Sequence, residues 1–187
     1  MNTPTHVLIN WTIAKASGGK FPASAVLLGA LAPDIPLYFL SIGGGLWFRF
    51  VEGWEPGEIA RHMFGTLFYE DPYWISLHNC LHSPLVLLGA IAVLHFAFGK
   101  TLFLKSWWTW FFGSCLLHTL VDIPVHHDDG PLVFWPLNWS YRFASPLSYW
   151  DLNHYAQIVM PFEAVLAIVL LANILLQWWS KKEQRDG

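Results

Sequence analysis

The sequence predicts an all-α fold: a polytopic membrane bundle of four hydrophobic helices, preceded by a short half-buried helix, forming one domain over residues 1–187. Two observations predict it. The chain is 55% hydrophobic and only 12% charged, where a soluble domain carries about a quarter charged residues; with 12 Trp and 14 Phe, its apolar surface exceeds what one small core can hide. In addition, four stretches approach the roughly 20 mostly apolar residues that a bilayer-crossing helix needs.

The elements follow in order. "THVLINWTIAKA" reads as a short amphipathic or half-buried helix; it lacks the basic n-region of a signal peptide, and its apolar run is too short for one. The first hydrophobic stretch, Pro22 to Ile42, is broken by "APDIP", where Pro33 and Pro36 kink a helix and expose carbonyls beside Asp34. From Phe48 to Tyr73, Pro56, Pro72 and several Glu predict a loop with a short surface helix. The second stretch, Pro84 to Leu104, is interrupted by Gly99 and Lys100. The third, Trp107 to Val125, carries His118 and Asp122, and the fourth, Gln157 to Trp179, is long and clean. No internal repeat is present. Cys80 and Cys115 lie in separate apolar segments and read as buried free thiols. A net charge of −3 gives no basic footprint, so nucleic acid is excluded as a partner and the lipid bilayer takes its place.

Lys and Arg in the loops predict the orientation. Lys15, Lys20, Lys100, Lys105, Lys181, Lys182 and Arg185 fall on one side, and Arg49, Arg61 and Arg142 on the other. The richer side, with the "GGK" turn and the C-terminus, is expected in the cytoplasm of an inner membrane. Trp107–Trp108 and Trp178–Trp179 mark that border as an aromatic belt.

Depth then gathers the polar residues. At 1.5 Å per helical residue, His6 lies roughly 18 Å and Asp34 roughly 21 Å above the Gly18–Gly19 turn. His118 and Asp122 lie roughly 20 Å and roughly 26 Å above Lys105, and His82 and His78 roughly 27 Å and roughly 33 Å above Lys100. "HNCLH" and "HTLVD" place His78 with His82, and His118 with Asp122, at i and i+4 on one helix face. Carboxylates inside apolar runs are costly unless paired or coordinated. A divalent metal, zinc first, is therefore expected among His6, Asp34, His78, His82, His118 and Asp122, with "HHDD" from His126 adding ligands at the rim. The competing reading is a structural His–Asp hydrogen bond between helices. His95, away from the others, reads as a packing histidine, and His62 as a solvated one. Glu163 lies near the site or pairs within the last helix; Asp129 and His154 receive no role, and nothing here fixes the oligomeric state.

"THVLINW", "GALAPDIP", "HNCLHSPLV", "LLHTLVDIPVHHDDGPLVFWPL" and "RFASPLSYWDLNHY" together resemble the membrane-bound metal-dependent hydrolase family, also described as LexA-binding, inner-membrane-associated hydrolases. The resemblance runs from Thr5 to about Tyr155. The family's TH, PD, HxxxHS and HxxxD elements fall on His6, Asp34, His78 with His82, and His118 with Asp122. It implies a helical scaffold around zinc, likened to that of zinc-dependent phospholipase C and P1 nuclease. Where the family commonly reads PDID, this chain reads PDIP, which removes a carboxylate near Asp34.

The implied chemistry is metal-assisted hydrolysis of a lipid or lipid-linked phosphoester. No GxSxG motif offers a serine nucleophile. Asp128 or His127 is the expected general acid–base group, and Arg142 is expected to hold a phosphate unless it merely pairs with Asp151. Phe134, Trp135, Trp139, Tyr149 and Trp150 read as interface anchors, with a substrate lid as the alternative. A metal transporter and a non-catalytic metal-binding interaction protein remain as other classes. A transporter needs polar residues through the inner half as well, where only His95 and Asn10 offer themselves.

Overall fold

The structure is a computed structural model that describes residues 1–18 and 20–186; the side chains of Lys181 and of residues 184–186 lie outside the description. Gly19 of the "GGK" turn, and the Lys181 and Arg185 side chains counted for orientation, thus fall outside the described residues. The described residues are helical apart from loops and one isolated bridge between Leu132 and Arg142.

Helix α1 (Thr3–Ala16) buries Thr3, Thr5, His6, Asn10 and Ala14 and leaves Ile13 half exposed. This is the reverse of a soluble amphipathic helix. In lipid, polar groups find partners only within the protein, so the polar stripe turns inward. Helix α2 (Ala23–Leu31) then packs on α8 (Trp107–Asp122) at Gly29, where an added Cβ would sit 2.3 Å from the Phe111 carbonyl oxygen. Such close approach between small residues is how apolar helices associate in membranes.

The first stretch is bent where "APDIP" foretold a break. Helix α2 ends before Pro33, and α3 (Ile35–Phe50) begins after Asp34 with Pro36 in its first turn. The two axes differ by 44°. Helix α3 buries none of its side chains and exposes Phe39, Ile42 and Phe50.

Residues 48–73 depart from the loop expectation. They hold α4 (Pro56–His62), a π-helical turn (Met63–Leu67), α5 (Phe68–Glu70) and the start of α6 (Pro72–Asn79). The Pro and acidic residues that read as loop signals are caps. Glu55 and Glu58 form a capping box around α4, and the Asp71 side chain accepts from the Tyr73 and Trp74 amides to start α6. Beneath them Ile59, Met63, Phe68 and Trp74 form a buried cluster against Leu37 and Leu40 of α3.

Among the described residues, helix α7 (Pro84–Phe103) and the Ala156–Ser180 part of α9 (Ala156–Asp186) are the two segments long and apolar enough to cross a membrane; α2 with α3, taken as one bent span, makes three. The expected fourth span fails this test. Helix α8 is 16 residues long and gives way at Asp122 to a 3₁₀ turn, Ile123–Val125, that contains Pro124. Its length, about 24 Å, falls short of the roughly 30 Å hydrocarbon layer. In α7, Gly99 leaves helical geometry at φ 64°, in the segment where Gly99 and Lys100 interrupt the apolar run.

Candidate metal centre

The break before α3, the turn after α6 and the end of α8 meet at one place, and Asp122 is its hub. Asp122 is 2% exposed and ends α8. Its Oδ1 lies 2.9 Å from His6 Nε2 and 2.7 Å from the Met1 amino nitrogen, and its Oδ2 lies 3.0 Å from His82 Nε2 and 3.2 Å from His118 Nε2. The His6 and His118 rings stack with centroids 3.6 Å apart. Asp34 enters from the α2–α3 break, where the helix interruption frees its carboxylate to face α8. Its Oδ1 is 3.4 Å from His118 Nε2, and its Oδ2 accepts from Thr3 Oγ1 at 2.5 Å.

Asp34, His82, His118 and Asp122 each offer one ligand atom, and these four atoms lie within 4.8 Å of one another. His6, stacked on the His118 ring, contacts Asp122 but is not one of that group of four. His78 and His82 do not share a continuous helix face. Helix α6 stops at Asn79, whose carbonyl accepts from the His82 amide, and the turn delivers His82 to the cluster. His78 stays on α6, buried, with its ring centroid 4.8 Å from that of His82.

A cavity of about 330 Å³ opens over the cluster. Asp34, His78, His82, Asp122, His126 and Asp129 are among its polar lining, with the Met1 amino end, Asn2 and Thr3 beside them, while Leu37, Phe64, Phe68 and Tyr149 are among its apolar walls. His126 bridges rim and floor: its Nδ1 is 3.0 Å from Asp129 Oδ2 and its Nε2 is 3.4 Å from Asp122 Oδ1. Burial alone would lower the His126 pKa, but the carboxylates of Asp122 and Asp129 outweigh it and raise it. For Asp129, burial pushes the carboxyl up, and the bond to His126 overrides this and holds it below its usual range.

Asp128 is exposed, and neither it nor His127 lines the cavity. His127 stacks on His154 instead, with ring centroids 3.5 Å apart. Arg142 also lies outside the lining. Its guanidinium donates to the Gly130 carbonyl and sits over Phe68 and Tyr69, whereas Asp151 accepts from His154. His95 is exposed on α7 beside Phe96 and Phe103 rather than packed inside. His62, expected to be solvated, is half-buried and edge-on to Phe48 and Trp54. Asp129, Tyr149 and Trp150 are among the cavity residues that motif spacing passed over, as are Thr3 and Tyr38. The only sequence signal for Asp129 is its place in "HHDDG", and Tyr149 and Trp150 look like any interfacial aromatics. Glu163, 4% exposed, accepts from the Asn2 amide at 2.7 Å, which places it beside the site.

A family model described as YdjM inner membrane protein matches residues 1–184. The chain belongs to this family. Membrane association is therefore a property of the protein, consistent with its two or three apolar spans. No curated protein and no solved structure matches the chain.

In this YdjM family member the two imidazoles and two carboxylates fit a divalent ion, and the tautomer of His118 is compatible with one. The His118 Nδ1 is 2.8 Å from the Ala30 carbonyl oxygen, which can only accept, so Nδ1 carries the proton. In a neutral ring, Nε2 is then a lone pair aimed between the carboxylates of Asp34 and Asp122, and this buried atom makes no hydrogen bond. A lone pair facing two carboxylates is repulsive, so either a cation lies among them or the ring takes a second proton and donates to them. A backbone carbonyl on the other ring nitrogen is also the usual arrangement for a metal-ligating histidine.

Proposed function

We propose that this protein is a membrane-bound hydrolase in which Asp34, His82, His118 and Asp122 hold a divalent ion, zinc the first candidate, and that it acts on a lipid or lipid-linked phosphoester. The observation that carries the reading is the convergence of Asp34, His82, His118 and Asp122, whose ligand atoms lie within 4.8 Å of one another beneath a cavity with apolar walls. Two imidazoles and two carboxylates are a zinc-type donor set. Such an ion polarises a phosphoryl or acyl oxygen and lowers the pKa of water to about 7.

The remaining roles belong to the chain's own groups. His6 presses on His118 and contacts Asp122, which fixes the orientation of both. Thr3 does the same for Asp34. Of the two neighbouring acids, Asp129 is our choice for the acid–base group rather than Asp128, because Asp129 lines the cavity and its depressed pKa keeps it ionised at neutral pH. Tyr149 and Trp150 border the cavity. Arg142, near Gly130 at the rim, remains the group proposed to meet a phosphate that extends past Asp129.

A transport role has less support. Below the cluster, the Asn10 amide donates to the Ser114 carbonyl at 2.8 Å and to its hydroxyl at 2.7 Å, and that hydroxyl donates to the Val26 carbonyl. The polar groups of the inner half are thus tied to backbone rather than arranged as a path. The alternative with an observation in its favour is a metal held for structure alone, since His118 and Asp122 are almost fully buried.

The test is a hydrolysis panel on zinc-loaded, detergent-solubilised protein with phospholipids, prenyl phosphates and simple phosphodiesters. Turnover on at least one class, lost on chelation and restored by zinc, is expected. No turnover on any class by protein of verified metal content would sink the enzyme reading and leave the structural one.

A further inference from the structure

Asp34 is the most open of the four proposed ligands. Its side chain is 17% exposed, against 0% for His118, 4% for His82 and 3% for Asp122. It stands in the turn between α2 and α3 rather than on a continuous helix. His6, His82 and His118 fix the Asp122 carboxylate from several sides. Asp34 has fewer holds: His118 Nε2 lies 3.4 Å from its Oδ1, and the Thr3 hydroxyl donates to its Oδ2 at 2.5 Å. The geometry of the cluster therefore depends most on what sets Thr3.

The Thr3 hydroxyl has a second partner, the Tyr38 hydroxyl at 2.7 Å. The donors fix the direction of both bonds. An ionised carboxylate only accepts, so the single Thr3 hydroxyl proton goes to Asp34, and Tyr38 must donate to Thr3. The Tyr38 amide also donates to the Asp34 carbonyl at 3.1 Å. The two side chains thus rise from one turn at the start of α3 and close on a hydroxyl presented by α1. Thr3 is buried, but Tyr38 is 52% exposed and lines the cavity. The chain of hydroxyls starts at the cavity wall and ends on a carboxylate of the cluster. Hydrogen bonds in series polarise one another, each strengthening the next.

We propose that Tyr38 is a positioning residue of the metal centre, acting on the Asp34 carboxylate through the Thr3 hydroxyl. This rests on the reading that Asp34, His82, His118 and Asp122 hold a divalent ion, and not on the cluster being catalytic. Thr3 occupies Oδ2 and leaves Oδ1, the oxygen beside His118, for the ion. Tyr38 in turn holds the Thr3 hydroxyl in the rotamer that reaches Asp34. Outer partners of this kind orient a ligating carboxylate and raise metal affinity. Because the relay runs in series, Tyr38 influences the ion only while Thr3 carries its hydroxyl.

Zinc affinity of the detergent-solubilised full chain, measured by competition with a chromophoric chelator, tests it. Tyr38→Phe keeps the ring and is expected to weaken zinc about 10-fold, and Thr3→Val at least as much, the scale for losing an outer partner of a ligand. Thr3→Ser, which keeps the hydroxyl, should bind as the wild type does, as should Tyr73→Phe, which alters an exposed tyrosine outside the cavity lining. The variant carrying both Tyr38→Phe and Thr3→Val should be no weaker than Thr3→Val alone, whereas independent contributions would multiply. With Co²⁺ in place of zinc, the visible absorption of Tyr38→Phe should shift, because the ligand field follows the set of the carboxylate. Wild-type zinc affinity in Tyr38→Phe, an unchanged Co²⁺ spectrum, or effects that multiply in the double variant overturn the proposal and leave the metal site standing. A wild type that binds no zinc overturns the metal reading itself. Tyr38→Phe decides the matter alone if Thr3→Val fails to fold.

Discussion

Asp129 and Asp128 are neighbours with opposite surroundings: one bonds His126 and Trp150 at the cavity rim, the other faces outward. Under the hydrolase proposal Asp129→Asn is expected to lower turnover about 10²-fold with metal content unchanged, the ordinary scale for losing an acid–base group. A base must be ionised to act, so wild-type activity falls as pH drops through the pKa of Asp129. The variant should lack this acid limb. A full acid limb in Asp129→Asn would remove the residue from that role. At this scale the sequence was legible where chemistry and spacing coincide: Asp34, His82, His118 and Asp122 stand out as polar residues in apolar surroundings at matching depth. It was not legible where two identical residue types adjoin, because which of Asp128 and Asp129 turns inward depends on the loop's contacts with Trp150 and His126, far away in sequence or set by local turns.

Among the elements, the α2–α8 contact determines whether Asp34 and His118 meet. Gly29 lies at its closest point, with the Phe111 carbonyl 2.3 Å and Ser114 Cβ 2.7 Å from any Cβ placed there. Backbone cannot yield as a flexible side chain can. Gly29→Ala is therefore expected to cost about 1–3 kcal/mol of stability, measured as a lowered unfolding midpoint in detergent, and to loosen metal binding with it; an unchanged midpoint would mean that the two helices pack elsewhere. The long apolar runs of α7 and α9 were readable from hydropathy alone. The segment from 48 to 73 was not, because Glu55, Pro56, Asp71 and Pro72 are the residues of both loops and helix starts, and only the apolar cluster of Ile59, Met63, Phe68 and Trp74 decides between them. The same ambiguity runs the other way in α8, where apolar composition suggested a span that Asp122 and Pro124 cut short.

At the scale of the whole molecule, the fold is a polar interior wrapped in apolar helices, with its cavity on one side. From the Lys-rich border we propose that this cavity faces away from the cytoplasm. With the native cysteines replaced, Leu137→Cys in the long loop should react with a membrane-impermeant thiol reagent in intact cells, and Glu183→Cys only after permeabilisation; the reverse pattern would invert the topology and leave the cluster as it is. The central claim is that the Asp34, His82, His118 and Asp122 group holds a metal, and elemental analysis of protein purified without added metal tests it most directly. Roughly one zinc-class ion per chain is expected for the wild type and for His95→Ala, and close to none for His118→Ala and Asp122→Ala when circular dichroism shows them folded. Equal metal content in all four proteins, or none in the wild type, would contradict the claim.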